Sequence, residues 1–295
     1  MNKAIFNGVG TALITPFKNG CVDYNSLEII IKKQISANVG AVVVLGTTGE
    51  ASTITTNERK KIIELAIKLC KNKCKVIVGC GSNSTLTAIK NYKLAEALGA
   101  DGALIVTPYY NKCTQDGLVM HYEMIAKSGN LPIIAYNVPS RTGVNILPST
   151  MLKIASIKNI VGIKEASGNI SQILELFSLV GNKVAIYSGD DALNYIFLSL
   201  GGYGCISVLS NIMPQECVKL YDIYKDDGSQ KANEYWLKFL PLINALFLEV
   251  NPVPIKYAMS YLGLCKNELR PPLFKMKDEL AERLKEEINS IWCEV

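Results

Sequence analysis

Eight short apolar runs constrain this chain more than any other feature. They occupy residues 8–15, 40–46, 75–81, 102–110, 132–139, 160–167, 184–191 and 202–208. Successive runs begin about 20–35 residues apart, the size of one strand plus one helix. The segments between them are amphipathic and carry end signals. Thr55-Thr56-Asn57-Glu58 reads as a capping box ahead of Ile62, Ile63, Ala66, Ile67 and Leu69. Asn169-Ile170-Ser171-Gln172 opens a helix over residues 173–180, and Gly181 stops it. Runs that are apolar at successive positions suit strands covered on both faces, as in a parallel sheet between helices. Eight such units predict an α/β fold closed into a (β/α)8 TIM barrel. A doubly wound open sheet is the rival, but no strand-linked G-x-G-x-x-G supports it.

The strand signal ends after about residue 220. Residues 231–250 are helical in pattern, with Pro241 expected to bend the helix. Asn251-Pro252-Val253-Pro254 punctuates the chain before a further helix through Leu262, and Arg270-Pro271-Pro272 is a second break. Leu280, Leu284 and Ile288 then form one apolar stripe. We therefore divide the chain into a barrel, residues 1–224, and a C-terminal helical extension, residues 225–295, packed on it.

Composition narrows the function. The net charge is +5, and the densest basic stretch, residues 68–75, has no interleaved aromatics, which argues against nucleic-acid binding. Nine scattered cysteines without a Cys-x-x-Cys pair, and a single histidine, His121, argue against a structural zinc site or a His-rich metal-dependent aldolase. The same lone histidine stands in no nucleophile-elbow context, so a serine hydrolase is disfavoured. The thiols read as mostly buried in a reducing compartment. No apolar run approaches the roughly 18 residues of a membrane helix, and glycines and Pro16 interrupt the N-terminal apolar stretch. The expectation is a soluble, cytoplasmic protein.

A barrel collects its chemistry at the carboxyl ends of its strands. The sixth run, Ile160-Val161-Gly162-Ile163-Lys164, ends on a lysine at the boundary between a dry core and water. Burial disfavours the charged form of such a group and so favours an amine nucleophile; a strand cap facing solvent is the plainer alternative. The second run ends in Gly46-Thr47-Thr48-Gly49-Glu50, where hydroxyls and approachable backbone N–H groups suit a carboxylate, or simply make a turn. The fourth ends in Thr107-Pro108-Tyr109-Tyr110-Asn111, whose tyrosines suit packing, an interface or a proton relay. The fifth ends in Tyr136-Asn137-Val138-Pro139-Ser140-Arg141, which offers a proton donor–acceptor and a planar fork for a carboxylate. The seventh ends in Ser188-Gly189-Asp190-Asp191, acids that could cap a helix or touch a ligand.

Taken together, G-T-T-G-E at 46–50, Y-N-V-P-S-R-T-G at 136–143 and G-I-K-E-A-S-G-N at 162–169 resemble the pyruvate-dependent Schiff-base lyases. Within that superfamily the match is closest to the dihydrodipicolinate synthase branch. It spans essentially the whole chain, including N-P-V-P at 251–254. The resemblance implies a lyase that condenses pyruvate with L-aspartate semialdehyde on the way to diaminopimelate and lysine. It implies that Lys164 forms the Schiff base, that Tyr136 moves protons to and from the adduct, and that Thr48 and Tyr110 complete the relay. Tyr110 is expected to reach across from a neighbouring subunit. Thr47 and Thr48 should bind the pyruvate carboxylate, the backbone at Ile206 should lie beside the ketoacid, and Arg141 should anchor the second substrate's carboxylate. No metal and no organic cofactor is implied, and the usual assembly is a homotetramer, a dimer of dimers.

Two rival functions stay in view. Sialic-acid lyases keep the chemistry with another aldehyde, but they carry a G-S-T-G-E loop and lack an arginine where Arg141 stands. A non-catalytic carboxylate-binding barrel would need no proton relay. One departure from the family bears on regulation. Where relatives inhibited by lysine place histidines and a glutamate, this chain has Thr56, Arg59 and Thr87, although Asn83 and Tyr109 match. An arginine near the ligand's ammonium repels it, and the missing carboxylate removes its counter-charge, so little or no lysine feedback is expected.

Overall fold

Continuous apolar runs call for parallel pairing covered on both faces, and the chain builds it. The computed structural model describes residues 4–294. Its eight barrel strands are β1 (Gly8–Ala12), β2 (Ala41–Val44), β3 (Lys75–Gly79), β4 (Gly102–Val106), β5 (Ile133–Asn137), β6 (Ile160–Glu165), β7 (Ala185–Ser188) and β8 (Gly204–Ser207). Each falls inside one of the eight runs. All neighbours pair in parallel, and β8 returns to β1 with Gly8 beside Gly204 and Thr11 beside Ser207, which closes the barrel. The expected (β/α)8 architecture is the fold.

The enclosing helices are α1 (Tyr24–Ser36), α2 (Thr56–Cys70), α3 (Thr85–Leu98), α4 (Gln115–Ala126), α5 (Pro148–Ile154), α6 (Ile170–Val180), α7 (Asn194–Ser199) and α8 (Pro214–Asp227). Thr55 and Glu58 form the full capping box at the start of α2, worth about 0.5–2 kcal/mol. Asn169 caps α6 through Gln172 N.

The two-residue alternation of a strand divides the barrel's apolar residues into two cores. Inward-facing Ala12, Val43, Ile77, Leu104, Ile134 and Ile206 fill the lumen. Phe6 plugs its amino end, stacked on Tyr187 with ring centroids 4.5 Å apart, and the Tyr187 hydroxyl donates to the Phe6 carbonyl at 2.8 Å. Outward-facing Val42, Val44, Val76, Val78, Ile105, Ile133 and Ile163 belong to the larger cluster with helix residues Ile30, Ile62, Leu118 and Ile173. Each such side chain contributes roughly 1.5–3 kcal/mol by leaving water.

Beyond the barrel follow α9 (Ser229–Leu237), α10 (Leu240–Ala245), α11 (Val253–Tyr261) and α12 (Asp278–Glu294). Pro241 does not bend one long helix, as the sequence pattern suggested. It sits in the first turn of α10, where its missing N–H has no partner to lose, so the segment breaks into two helices. Leu284 and Ile288 on α12 are buried and Leu280 is partly so. Two short strands, Phe17–Lys18 and Cys21–Val22, pair antiparallel outside the barrel. Cys70, Cys80, Cys205 and Cys217 are buried; Cys74, Cys113 and Cys265 are partly exposed and Cys21 is exposed, so burial of the thiols is less complete than expected. No helix among the described residues is long and apolar enough to cross a membrane.

Candidate active site

The carboxyl ends of β1, β2, β5, β6, β7 and β8 meet the segment after α10 around a cavity of about 370 Å³. Lys164, Tyr136, Thr47, Thr48, Arg141 and Ile206 all line it. A hollow of about 480 Å³ opens near Gly8, Gly202 and Tyr221 at the amino-terminal end, away from those strand ends. Barrel chemistry belongs at the carboxyl ends, and that decides between the two.

Lys164 faces inward from β6, in register with Tyr136 on β5 and Tyr187 on β7. It is 6% exposed. Its Nζ lies 4.3 Å from the centroid of the Tyr136 ring. Among the described residues it has no carboxylate partner and no hydrogen-bond acceptor. Gly189 makes room for it, since a Cβ there would approach Lys164 Cε to 2.8 Å. Tyr136 is also buried, and its hydroxyl is uncommitted among the described residues.

The Gly46–Glu50 loop is shaped by strain and braced from behind. Leu45 leaves β2 at φ +59°, a conformation that costs a residue with a Cβ about 1–2 kcal/mol. Gly79 on β3 tolerates the displaced chain, because a Cβ there would lie 2.0 Å from the Leu45 carbonyl oxygen. Gly49 N and Glu50 N donate back to Gly46 O and Thr47 O, both at 3.1 Å, tightening the turn. Thr15 Oγ1 donates to Gly49 O at 2.7 Å. Glu50 points away from the cavity, 3% exposed, and pairs with the fully buried Lys256 of α11 at 2.5 Å.

Asn251 ties two site residues together. Its Nδ2 donates to Thr48 Oγ1 at 3.0 Å, and its carbonyl accepts from Arg141 Nη2, also at 3.0 Å. In the sequence Asn251 stands as punctuation before α11 and within the N-P-V-P match, with no role at the site. The Thr48 contact joins positions 203 residues apart, which no local pattern encodes.

The residue after Lys164 faces outward. Glu165 is buried and accepts from Ser167 N at 2.6 Å and Asn137 Nδ2 at 2.9 Å; burial pushes its carboxyl up from the ordinary range. Asn137 Oδ1 accepts from Ile146 N at 2.9 Å, so this network fixes the loop that carries Arg141. The two acids after β7 divide their tasks. Asp190 lines the cavity while accepting from Ala192 N at 3.0 Å, and burial raises its carboxyl. Asp191 accepts from Val208 N and Leu209 N at 2.8 and 2.9 Å, holding the end of β8 beside Ile206.

Tyr110 is not brought to the cavity of its own chain. It is 91% exposed, with its backbone at φ +72°. Tyr109 beside it is 37% exposed.

The sequence profile of the dihydrodipicolinate synthetase family matches residues 5–291. The 4-hydroxy-tetrahydrodipicolinate synthase of Alkaliphilus oremlandii is 47% identical over 285 residues, 97% of this chain and 98% of that protein. The crystal structure of dihydrodipicolinate synthase from Thermotoga maritima superposes with a TM-score of 0.95 at 44% identity, covering 97% of this chain and 98% of that one. The chloride-inhibited enzyme from Acinetobacter baumannii, solved in complex with pyruvate, gives 0.94 at 40% identity over 97% and 98%. With a profile spanning the barrel and its extension, and relatives this similar over nearly their full lengths, the chain belongs to the dihydrodipicolinate synthetase family.

Proposed function

We propose that the cavity at the carboxyl end of the barrel condenses pyruvate with L-aspartate 4-semialdehyde to give 4-hydroxy-tetrahydrodipicolinate, the committed step toward diaminopimelate and lysine. The observation that carries this reading is Lys164, buried beside the Tyr136 ring with no hydrogen-bond acceptor or carboxylate partner among the described residues. An amine so placed attacks the pyruvate ketone, water departs, and an imine results. Thr47 and Thr48 with the loop N–H groups hold the pyruvate carboxylate, and the backbone at Ile206 borders the ketoacid. The imine nitrogen draws electrons from the methyl group, and Tyr136 with Thr48 carries its proton away to leave an enamine. The enamine carbon attacks the aldehyde of the second substrate, whose carboxylate is anchored by Arg141. The new compound's amine then displaces Lys164 as the ring closes. General acid–base help of this kind is worth about 10²–10⁴-fold. Lys164 supplies the electron sink, so the scheme draws on no metal or organic cofactor.

Tyr110 joins this scheme only if a second copy of the chain presents it. Its exposure and its outward, positive-φ backbone support an assembly in which it completes the partner's relay, at least a dimer and by family habit a tetramer. A reducing cytoplasm is the compartment that suits eight described cysteines without a disulfide. Lysine is not a strong inhibitor in this reading. Arg59 lies buried and donates to Gly79 O at 2.9 Å, filling with a cation the position that needs to welcome an ammonium. Strong inhibition at sub-millimolar lysine would refute that part.

The test of the chemistry is reductive trapping. Pyruvate and borohydride should add mass at Lys164 alone, located by peptide mass spectrometry. No adduct, or one spread over surface lysines, would favour a carboxylate-binding barrel without catalysis. Turnover with L-aspartate semialdehyde and not with sugar-derived aldehydes separates the synthase from a sialic-acid-type aldolase.

A further inference from the structure

We infer that Asn251 is a positioning residue for this reaction, its side-chain amide aiming the Thr48 hydroxyl and its main-chain carbonyl holding Arg141. The inference rests on the proposed function and extends it to a residue outside the barrel strands. Asn251 is 6% exposed and lines the cavity between the two groups it touches.

A threonine hydroxyl owns one proton and two lone pairs. Asn251 Nδ2 occupies a lone pair of Thr48 Oγ1 at 3.0 Å, so the hydroxyl proton has to be given to something other than Asn251. Thr48 makes no other side-chain hydrogen bond among the described residues, and the open side of its position is the cavity that Tyr136 and Lys164 share. The amide thus fixes Thr48 as a donor toward the reacting atoms. Asn251 Oδ1 is buried with no partner among the described residues. An unpaired buried carbonyl costs about 1–3 kcal/mol, a penalty that a residue present only for packing would avoid.

The two attachments of Asn251 are chemically separable. The Arg141 contact uses the backbone carbonyl, which every substitution retains. The Thr48 contact uses the side chain, which a substitution removes or reverses. Changing the side chain should therefore disturb the relay and spare the anchor.

The experiment compares Asn251→Ala, Asn251→Asp, Thr48→Val and Asn251→Ala/Thr48→Val in steady-state kinetics with both substrates, alongside thermal melts. Asp matches Asn in shape, but its carboxylate accepts the Thr48 proton and reverses the bond. Both single Asn251 variants should lose about 10–100-fold in kcat, with the KM for the semialdehyde within about twofold of the wild type. In the Thr48→Val background, Asn251→Ala should cost almost nothing further, because it acts through that hydroxyl. Wild-type kcat in Asn251→Asp would overturn the inference, since shape would then suffice. So would additive losses in the double variant, or parallel falls in kcat, KM and melting temperature, which mark a structural role. Should Asn251→Ala not fold, the isosteric Asp variant carries the test, with Asn251→Asp/Thr48→Val as its double. Failure of the wild type to form the Lys164 adduct would defeat the proposed function instead, so the two failures are distinguishable.

Discussion

Lys164 on β6 and Lys256 on α11 of the extension are buried to almost the same degree and are treated in opposite ways. Lys256 spends its ammonium completely, with Glu50 at 2.5 Å, the Thr15 carbonyl at 2.6 Å, and the face of Phe17 at 4.2 Å. Burial depresses Lys256 from the usual lysine range, and Glu50 opposes that depression. Lys164 has an aromatic face at 4.3 Å and no anionic or carbonyl partner among the described residues. Burial alone therefore does not make a nucleophile. What sets Lys164 apart is an amine left uncommitted among the described residues, opening on a cavity with hydroxyls around it. The committed lysine does the complementary task of bracing the threonine loop through Glu50.

The sharpest way to break this comparison is to remove each lysine in turn. Lys164→Ala should lose at least about 10⁴-fold in turnover and all pyruvate trapping, while its melting temperature stays near that of the wild type. A large loss of stability there would mean that Lys164 is structural after all. Lys256→Met should do the reverse. It leaves the Glu50 carboxylate buried without its ammonium, with Arg270 N still donating to it at 3.1 Å, at a cost of about 3–5 kcal/mol in urea unfolding, and adding Glu50→Gln should recover part of that. A cost below about 1 kcal/mol would remove Lys256 from its bracing role. Tyr136→Phe sharpens the Lys164 side, since it keeps the ring beneath Nζ and deletes the hydroxyl. Turnover should fall by about 10²–10³-fold with Lys164 still open to slow trapping, read by single-turnover mass spectrometry.

The smallest effect belongs to the neighbouring Arg270–Glu58 pair. Arg270 binds Glu58 and stacks on the same Phe17 ring at 4.4 Å. Its guanidinium holds the Glu58 carboxyl at about 2, below the ordinary 4.5. As pH falls, the unfolded chain takes up this proton first. The stabilisation is therefore whole above pH 4.5 and is lost progressively toward pH 2. With solvent reaching the pair, about 1 kcal/mol is at stake. Glu58→Gln should flatten the unfolding free energy over that window by this amount, and an unchanged slope would show the pair to be inert.

Much of this was legible in the chain before folding. Strands buried on both faces leave continuous apolar runs, and the closed barrel follows from their number and spacing. The rule that barrels work at the carboxyl ends of their strands offers Lys164, Tyr136, Thr48 and Arg141 among several candidates, the resemblance of their motifs to the Schiff-base lyases picks them out, and the structure lines one cavity with them. The outward position of Glu165 follows from that of Lys164 by strand alternation. The supports were not legible. Asn251 reaches Thr48 and Lys256 reaches Glu50 across more than half the chain, and neither contact has a local period. Pro241 departs from the expected bend because a proline gives one signal for a kink and for a fresh helix start. The strands Phe17–Lys18 and Cys21–Val22 have two residues each, too few to alternate visibly.

Phe6 stacked on Tyr187 makes the barrel a cul-de-sac. Whatever enters at the carboxyl end must leave by the same door. The packed apolar side chains of that floor also keep water from Lys164 on the amino-terminal side. The seclusion of that amine is thus completed at the end of the barrel farthest from it.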